Sequence, residues 1–550
     1  MSLGSFRTVL LFALLLAVGG CADLEQIYRP VDTVALKGPP APPADISCAA
    51  ANPAVPPAYE IGFLKDCTAP DTFVVFAFSG GGIRSASFGY GALTGAHRTA
   101  VGDDKGGDGG HPFDKDIDVV SGVSGGSFTA AAFATHRDKL FPAPGGTDYY
   151  RDNFLAHDFF ADLISIYLEP WHWQWMLPSY ASQDELAKIY AAIPFSSASD
   201  TVFAPSYGDL AKKGRPLLVV QATDYGNEQP FTFTQPDFDL ICSDLNAYPV
   251  GNAVAASSAF PVLFSPIRLT NHHFDGSRGY CATHRPSWVD RVLDAPEPLE
   301  LSRLYARARV ANDYLPPKSG AAKPKGDPPR SVFLQDGGVT DNVALRGFSN
   351  TVISNFGTSD TGEGMWTEQT RAAACRGGWG RIKHVAVVVV DGEAQPDNKV
   401  ATLPYLSDLL LILNVTGSAL IDANGFETML ATDSLTKLMS NRLSQLECDG
   451  IPAGHPVTPW FARVSFQDLA QDTVLPAAAC GNTDAEHCTL GDVARSDTSL
   501  DLSPAQVDAL IDAGRSAFQC NRKLAQFLQA VSAKPDAGPP LPCRVRPENK

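Results

Sequence analysis

The run Thr72-Phe73-Val74-Val75-Phe76-Ala77-Phe78 is apolar from Phe73 onward, with no polar alternation. A strand of that kind needs cover on both faces, which is the condition of strands in a parallel sheet flanked by helices. The pattern recurs at Asp118–Val120, Leu217–Val220, Val332–Leu334 and, most strongly, His384–Val390. Helix-compatible stretches fall between these runs, at Ser85–Thr99, from about Phe128, and from Pro404 to Leu446. Strands alternating with helices predict an α/β fold whose sheet is built of parallel strands. Residues 271–330 interrupt the alternation and read as an insertion, with an amphipathic piece at Trp288–Leu293 and a breaker-rich stretch at Pro316–Pro329. Near the end, Ser503-Pro504-Ala505-Gln506 is a capping box with proline at the first helical position, so a helix through Ala513 or beyond is expected. There is no internal repeat.

The N-terminus carries a different signal. Val9–Val18 are ten consecutive apolar residues, too few to span a bilayer but suited to the h-region of a signal peptide. Val18-Gly19-Gly20-Cys21 then resembles a bacterial lipobox, in which Cys21 receives lipid; an ordinary signal peptide with an incidental cysteine is the alternative. Ala22 after the cysteine suggests outer-membrane retention. Residues 1–20 are thus read as a lipoprotein signal peptide and residues 21–70, which include Lys37-Gly38-Pro39-Pro40-Ala41-Pro42-Pro43, as an extended tether. No second apolar span of 18 residues follows, so the remainder is expected to be soluble. With Cys21 lipidated, ten cysteines remain, enough for five disulfides in an oxidising compartment, against several buried free thiols. A formal net charge of −17 excludes general nucleic-acid binding and a broad electrostatic grip on anionic lipid, so any membrane attachment is local and hydrophobic.

The chemistry is concentrated just after the strands. Gly122-Val123-Ser124-Gly125-Gly126 matches G-x-S-x-G between a strand and an Ala-rich helix, the context of a nucleophile elbow. Ser79-Gly80-Gly81-Gly82-Ile83-Arg84 closes the first strand; three glycines let backbone N–H groups converge as an oxyanion hole requires. Arg84 either holds that loop or meets a substrate phosphate. The G-K-[ST] of a P-loop is missing. Asp336-Gly337-Gly338 follows the fourth strand and places a carboxylate where α/β sheets gather active-site groups. His384, His455 and His487 are the candidates for a histidine triad, although His384 opens a strand. His272-His273 lies near Asp275, yet no H-E-x-x-H exists and no metal is expected. The aromatic segment Trp171–Met176 either lines a pocket mouth or packs under a loop.

As a set, these segments resemble the patatin-like phospholipase family, and the segments Phe78–Gly91 and Asp501–Leu528 look most like its bacterial lipoprotein branch. Ala222-Thr223-Asp224, Ala256-Ser257-Ser258-Ala259-Phe260-Pro261 and Asp336-Gly337-Gly338-Val339-Thr340-Asp341-Asn342 add to the resemblance, which covers Thr72 to Leu528; Ser85 departs from the small residue expected there. The resemblance implies a three-layer α/β/α fold with a central, mostly parallel sheet over residues 71–445 and a helical C-terminal extension over 446–550. It implies a lipid acyl hydrolase of phospholipase A or lysophospholipase type, with Ser124 as nucleophile, Asp336 as general base, and Gly80, Gly81 and Gly82 as oxyanion donors. No cofactor and no metal are implied. The expected partners are a phospholipid or other acyl-ester lipid and, through Cys21, a bacterial outer membrane. A catalytically silent lipid-binding or scaffold lipoprotein, and a Ser-His-Asp esterase on other esters, are the alternatives.

Overall fold

The computed structural model describes residues 33–39, 59, 71–102, 110–143, 145–159, 187–190, 192–197, 199–259, 266–276, 279–294, 303–318, 329–356, 366–376, 378–393, 409–448, 450–480, 487–495, 502–535 and 538–545. The signal segment, Cys21, most of the Pro-rich stretch, Trp171–Met176 and Pro261 lie outside the described residues.

Each apolar run becomes a strand because its side chains have somewhere dry to go on both faces. The strands are β1 (Thr72–Phe78), β2 (Ile117–Val123), β3 (Leu217–Asp224), β4 (Gln229–Thr232), β5 (Ile267–Thr270), β6 (Ser331–Asp336), β7 (His384–Asp391) and β8 (Thr458–Ser465). They form one sheet in the order β8-β7-β1-β2-β3-β6-β5, with β4 paired to β3. Strands β8, β7, β1, β2 and β3 are parallel to their neighbours. Every residue of β1, β2 and β3 is buried. At about 1.5–3 kcal/mol for each fully buried large apolar side chain, Phe76, Phe78, Val120 and Val219 alone supply a substantial driving force.

The helices used below are α1 (Gly82–His97), α2 (Gly125–His136), α3 (Val250–Ser257), α4 (Ser287–Leu293), α5 (Arg303–Ala311), α6 (Arg346–Phe356), α7 (Leu409–Ser444), α8 (Pro504–Cys520) and α9 (Arg522–Ala530). Helices α2 and α3 pack on the centre of the sheet, and α8 and α9 on its β8 side. The chain therefore has the expected mixed α/β fold, with many helices about a mostly parallel central sheet. Ser503 caps α8 through a capping box with Gln506, and the helix runs to Cys520.

Three expectations need correction. The first two helices start earlier than their composition suggests, at Gly82 and Gly125, because the glycines there serve close packing and not flexibility. Strand β6 is antiparallel to both β3 and β5; three apolar residues carry no information on direction. The C-terminal segment has helices as expected, but it is integral to the fold: it supplies the edge strand β8, paired with β7 over its whole length.

Within 271–330, α4 and α5 enclose a small core of Trp288, Val289, Val292, Leu304 and Ala308. Arg307 stacks on Trp288 at 5.1 Å and pairs with buried Asp237, joining the insertion to the main body. Among the described residues four disulfides are present, Cys242–Cys281, Cys375–Cys448, Cys480–Cys488 and Cys520–Cys543. Cys48 and Cys67 lie outside the described residues.

The segment read as a tether is held down at one place. Ala35 forms an antiparallel bridge with Ser243. The Leu36 N–H donates to Cys242 O at 3.0 Å and the Asp244 N–H to Val34 O at 2.8 Å. Thr33 Oγ1 donates to Thr270 O at 3.3 Å, and Thr33 O accepts from His272 Nε2 at 3.0 Å. Among the described residues no helix is long and apolar enough to cross a membrane.

Candidate active site

Ser124 stands between the end of β2 and the start of α2 with φ 49° and ψ −126°. A non-glycine residue there is strained by about 1–3 kcal/mol and persists only when its surroundings hold it. The surroundings do so. The Ser124 N–H donates to Ser257 Oγ at 2.9 Å, and Ser257 Oγ donates in turn to Gln221 O on β3 at 2.6 Å. Ser124 O accepts from the Ser127 N–H at 2.9 Å and from Ser127 Oγ at 2.6 Å.

The glycines of the two loops are explained by close approach. A Cβ on Gly125 would lie 2.0 Å from Gly82 O, and one on Gly126 would lie 2.3 Å from Phe78 O. The elbow therefore rests backbone to backbone on the glycine loop. This brings the N-termini of α1 and α2 together, and both favour nearby negative charge.

Asp336 reaches Ser124 from the other side of β3. Register places Val123 opposite Gln221 and Asp336 opposite Ala222, so serine and acid sit level with each other across one intervening strand. Because β6 is antiparallel, it descends past the carboxyl end of β3 and delivers Asp336 inward. Ser124 Oγ donates to Asp336 Oδ2 at 2.8 Å, and the Gly338 N–H donates to Asp336 Oδ1 at 2.8 Å. The acid turn is also bound to the segment after α3: the Asp336 N–H donates to Ala259 O at 3.0 Å and the Gly337 N–H to Ser257 O at 3.2 Å. Thr223 Oγ1 donates to Asp336 O at 2.8 Å. Burial raises the Asp336 carboxyl from 3.8 to about 6, against the lowering by the Gly338 N–H and the Ser124 hydroxyl. At neutral pH it is ionised, yet basic enough to accept a proton.

The glycine loop differs from expectation in two respects. The Gly80 N–H is committed to Asn342 O at 2.9 Å, so Gly80 is not placed to donate to a substrate. Gly81, at φ 135°, and Gly82 have no partner for their N–H groups among the described residues. Arg84 is 1% exposed, and its Nε donates to Gly392 O at 3.1 Å. It braces the loop against the end of β7 and is not placed for contact with a substrate phosphate. Gly392 N–H bonds Ser79 Oγ at 3.0 Å, and Asn342 Nδ2 bonds Glu393 Oε1 at 2.6 Å, completing that brace.

Ser124 and Asp336 bond each other and none of His384, His455 or His487. His384 opens β7 opposite Thr72, whereas Gly122, just before Ser124, lies opposite Phe78. Six residues of strand separate the two levels, about 20 Å. His455 is half-buried, with Nδ1 3.4 Å from Pro452 O, and His487 opens a small hairpin strand, His487–Thr489. His272 Nδ1 is 2.7 Å from Asp275 Oδ2, and His273 Nδ1 donates to Cys281 O at 2.6 Å. No group of three or more His, Cys, Asp or Glu able to hold a metal occurs among the described residues.

Sequence reasoning missed Ser257, Asn342 and Gly392 as parts of the site. The first two lie in the segments that carry the family resemblance, so that resemblance was the available signal.

Comparison with known proteins agrees with the reading of the first half of the chain. Residues 76–290 match the family model for patatin-like phospholipases. That span includes Ser124 and Ser257 and ends before Asp336. No curated protein matches the chain. Among solved structures, human GIVD cytosolic phospholipase A2 overlaps it with a TM-score of 0.36 at 12% identity, covering 84% of this chain and 60% of that one. The chain thus spans less than two thirds of that structure.

Proposed function

We propose that the protein is a serine acyl hydrolase acting on phospholipid or lysophospholipid esters through Ser124 and Asp336. The observation that carries the reading is the 2.8 Å hydrogen bond from Ser124 Oγ to a buried carboxylate, at a strained elbow packed on a glycine loop whose Gly81 and Gly82 N–H groups have no partner among the described residues. Asp336 takes the Ser124 proton as Oγ bonds to the ester carbonyl carbon. The carbonyl electrons move onto oxygen, which faces the Gly81 and Gly82 N–H groups. The intermediate collapses, the alcohol leaves with the proton from Asp336, and an acyl-enzyme remains. Water then gives its proton to Asp336 and attacks the acyl carbon; fatty acid departs, and Ser124 recovers its proton.

The match of residues 76–290 supports the lipid ester as substrate class. The lipobox-like Val18–Cys21 supports export as a lipoprotein of the bacterial branch, anchored at Cys21 in the outer membrane and facing the periplasm or cell surface. The test is labelling of the full chain by a fluorophosphonate, together with hydrolysis of a soluble short-chain ester and of phospholipid in mixed micelles. Ser124→Ala is expected to remove labelling and both activities while keeping the thermal midpoint. Substantial turnover by the Ser124→Ala protein refutes the assignment. Wild-type protein that neither labels nor turns over would favour the scaffold reading.

A further inference from the structure

We propose that the carboxyl edge of the sheet, from the docked arm Thr33–Leu36 to the Tyr225–Phe333 pair, is the face that meets a lipid surface. The inference rests on the lipoprotein reading above and adds an orientation to it. Register fixes where the arm is pinned. Leu334 lies opposite Asp224, the last residue of β3, so the start of β6 projects beyond the carboxyl ends of the parallel strands. Ser331 stands three residues further out, about 10 Å at strand rise. Thr270 pairs with Ser331, and Thr33 is bound to Thr270 O and His272. The arm is therefore fixed on the edge that also carries Ser124, five strand residues or about 17 Å along β6 from Asp336.

The length of chain before that point sets the geometry. Thr33 is the twelfth residue after Cys21, and a fully extended chain reaches about 3.5 Å per residue, so roughly 40 Å is the limit. A folded chain of this size has a radius of gyration of about 24 Å and is roughly 60 Å across. An anchor at Cys21 would thus keep the pinned edge near the bilayer. A tether free to residue 70 would reach roughly 170 Å and impose no orientation.

The same edge presents apolar groups to solvent. The Tyr225 N–H donates to Phe333 O at 2.8 Å, which sets the two residues opposite each other on neighbouring strands. Their side chains are 61% and 45% exposed, and Val339, three residues after Asp336, is 44% exposed. Aromatic side chains suit the boundary between water and hydrocarbon. A chain with net charge −17 gains nothing from anionic lipid, so the surface suits a zwitterionic bilayer.

The test uses the full chain carrying Cys21→Ser, so that vesicle binding reports the protein surface alone, with phosphatidylcholine vesicles as the probe. Weak partition at high lipid is expected, falling at least tenfold on adding Tyr225→Ser and Phe333→Ser. In the lipidated protein the same pair should slow hydrolysis of vesicle phospholipid at least tenfold and leave soluble-ester turnover unchanged. Leu36→Pro removes the N–H that holds the arm, and should keep the protein membrane-attached while slowing vesicle hydrolysis. Equal partition with and without the aromatic pair overturns the surface, and unchanged vesicle hydrolysis in Leu36→Pro overturns the role of the arm. If wild-type protein lacks soluble-ester turnover, the proposed function falls, while partition still decides the surface.

Discussion

Replacing Asp336 by asparagine should make the protein inactive and more stable at the same time. The carboxyl is buried and raised from 3.8 to about 6, chiefly by desolvation. Its folded-state value lies above its unfolded one, so the folded chain binds the proton more tightly, and stability falls as pH rises through that interval. Below about pH 4 both states are protonated and no penalty exists. Above pH 6 the full penalty applies, about 3 kcal/mol from 1.36 kcal/mol per pH unit. At pH 5 the same relation leaves about half of it. Asparagine has the shape of the carboxylate; its oxygen can still accept the Gly338 N–H, and its amide can donate to Ser124 Oγ. Asp336→Asn should therefore gain up to about 3 kcal/mol at pH 8 and roughly half that at pH 5. Turnover should fall by at least about a thousandfold at both, the scale of losing an acid–base partner. Urea unfolding of both proteins at the two pH values measures the first, and ester hydrolysis per folded molecule the second. A destabilised variant at pH 8, or a gain that does not shrink at pH 5, would refute the reasoning about burial.

Turnover of the wild-type protein should rise with pH through about 6 and then level off, because Asp336 must be ionised to take the serine proton; a pH-rate profile flat from 5 to 8 would exclude it as the base. Ser257→Ala leaves the Ser124 N–H without its acceptor, a loss of about 1–3 kcal/mol, and should lower kcat roughly ten- to a hundredfold with KM nearly unchanged, as read by steady-state kinetics. Gly81→Val places a branched side chain at φ 135°, where only glycine is comfortable, and should reduce turnover at least a hundredfold; full activity would mean that this loop does not receive the oxyanion.

Much of this was legible in residues alone. Uninterrupted apolar runs marked the strands because burial on both faces leaves no room for polar alternation. Ser503 and Gln506 marked the start of α8 because a cap is a local device. The Ser124 elbow was visible because its glycines answer to one steric demand. What stayed hidden depends on long-range pairing. The direction of β6 is set by its partners β3 and β5, and its paired residues on β3 lie 110 to 114 positions away along the chain. The commitment of the Gly80 N–H depends on Asn342, and the burial of Arg84 on Gly392, more than 260 and 300 residues away along the chain. Ser257 looked like part of a motif, but its bond to Ser124 spans 133 residues.

The strand order has a consequence for synthesis. β1 is paired on one side by β2, but the slot on its other side is filled by β7, which begins 312 residues after β1 starts. A chain emerging from its N-terminus thus presents the apolar Thr72–Phe78 with one edge open until residue 391 is available, and open edges of this composition recruit other chains. Ser124 likewise exists long before Asp336, the residue that accepts its hydroxyl hydrogen bond. A chain that has not reached residue 336 therefore holds Ser124 without that hydrogen bond. The open edge and the missing hydrogen bond have the same origin in long-range strand order; the bond becomes available with β6 and the edge closes only with β7.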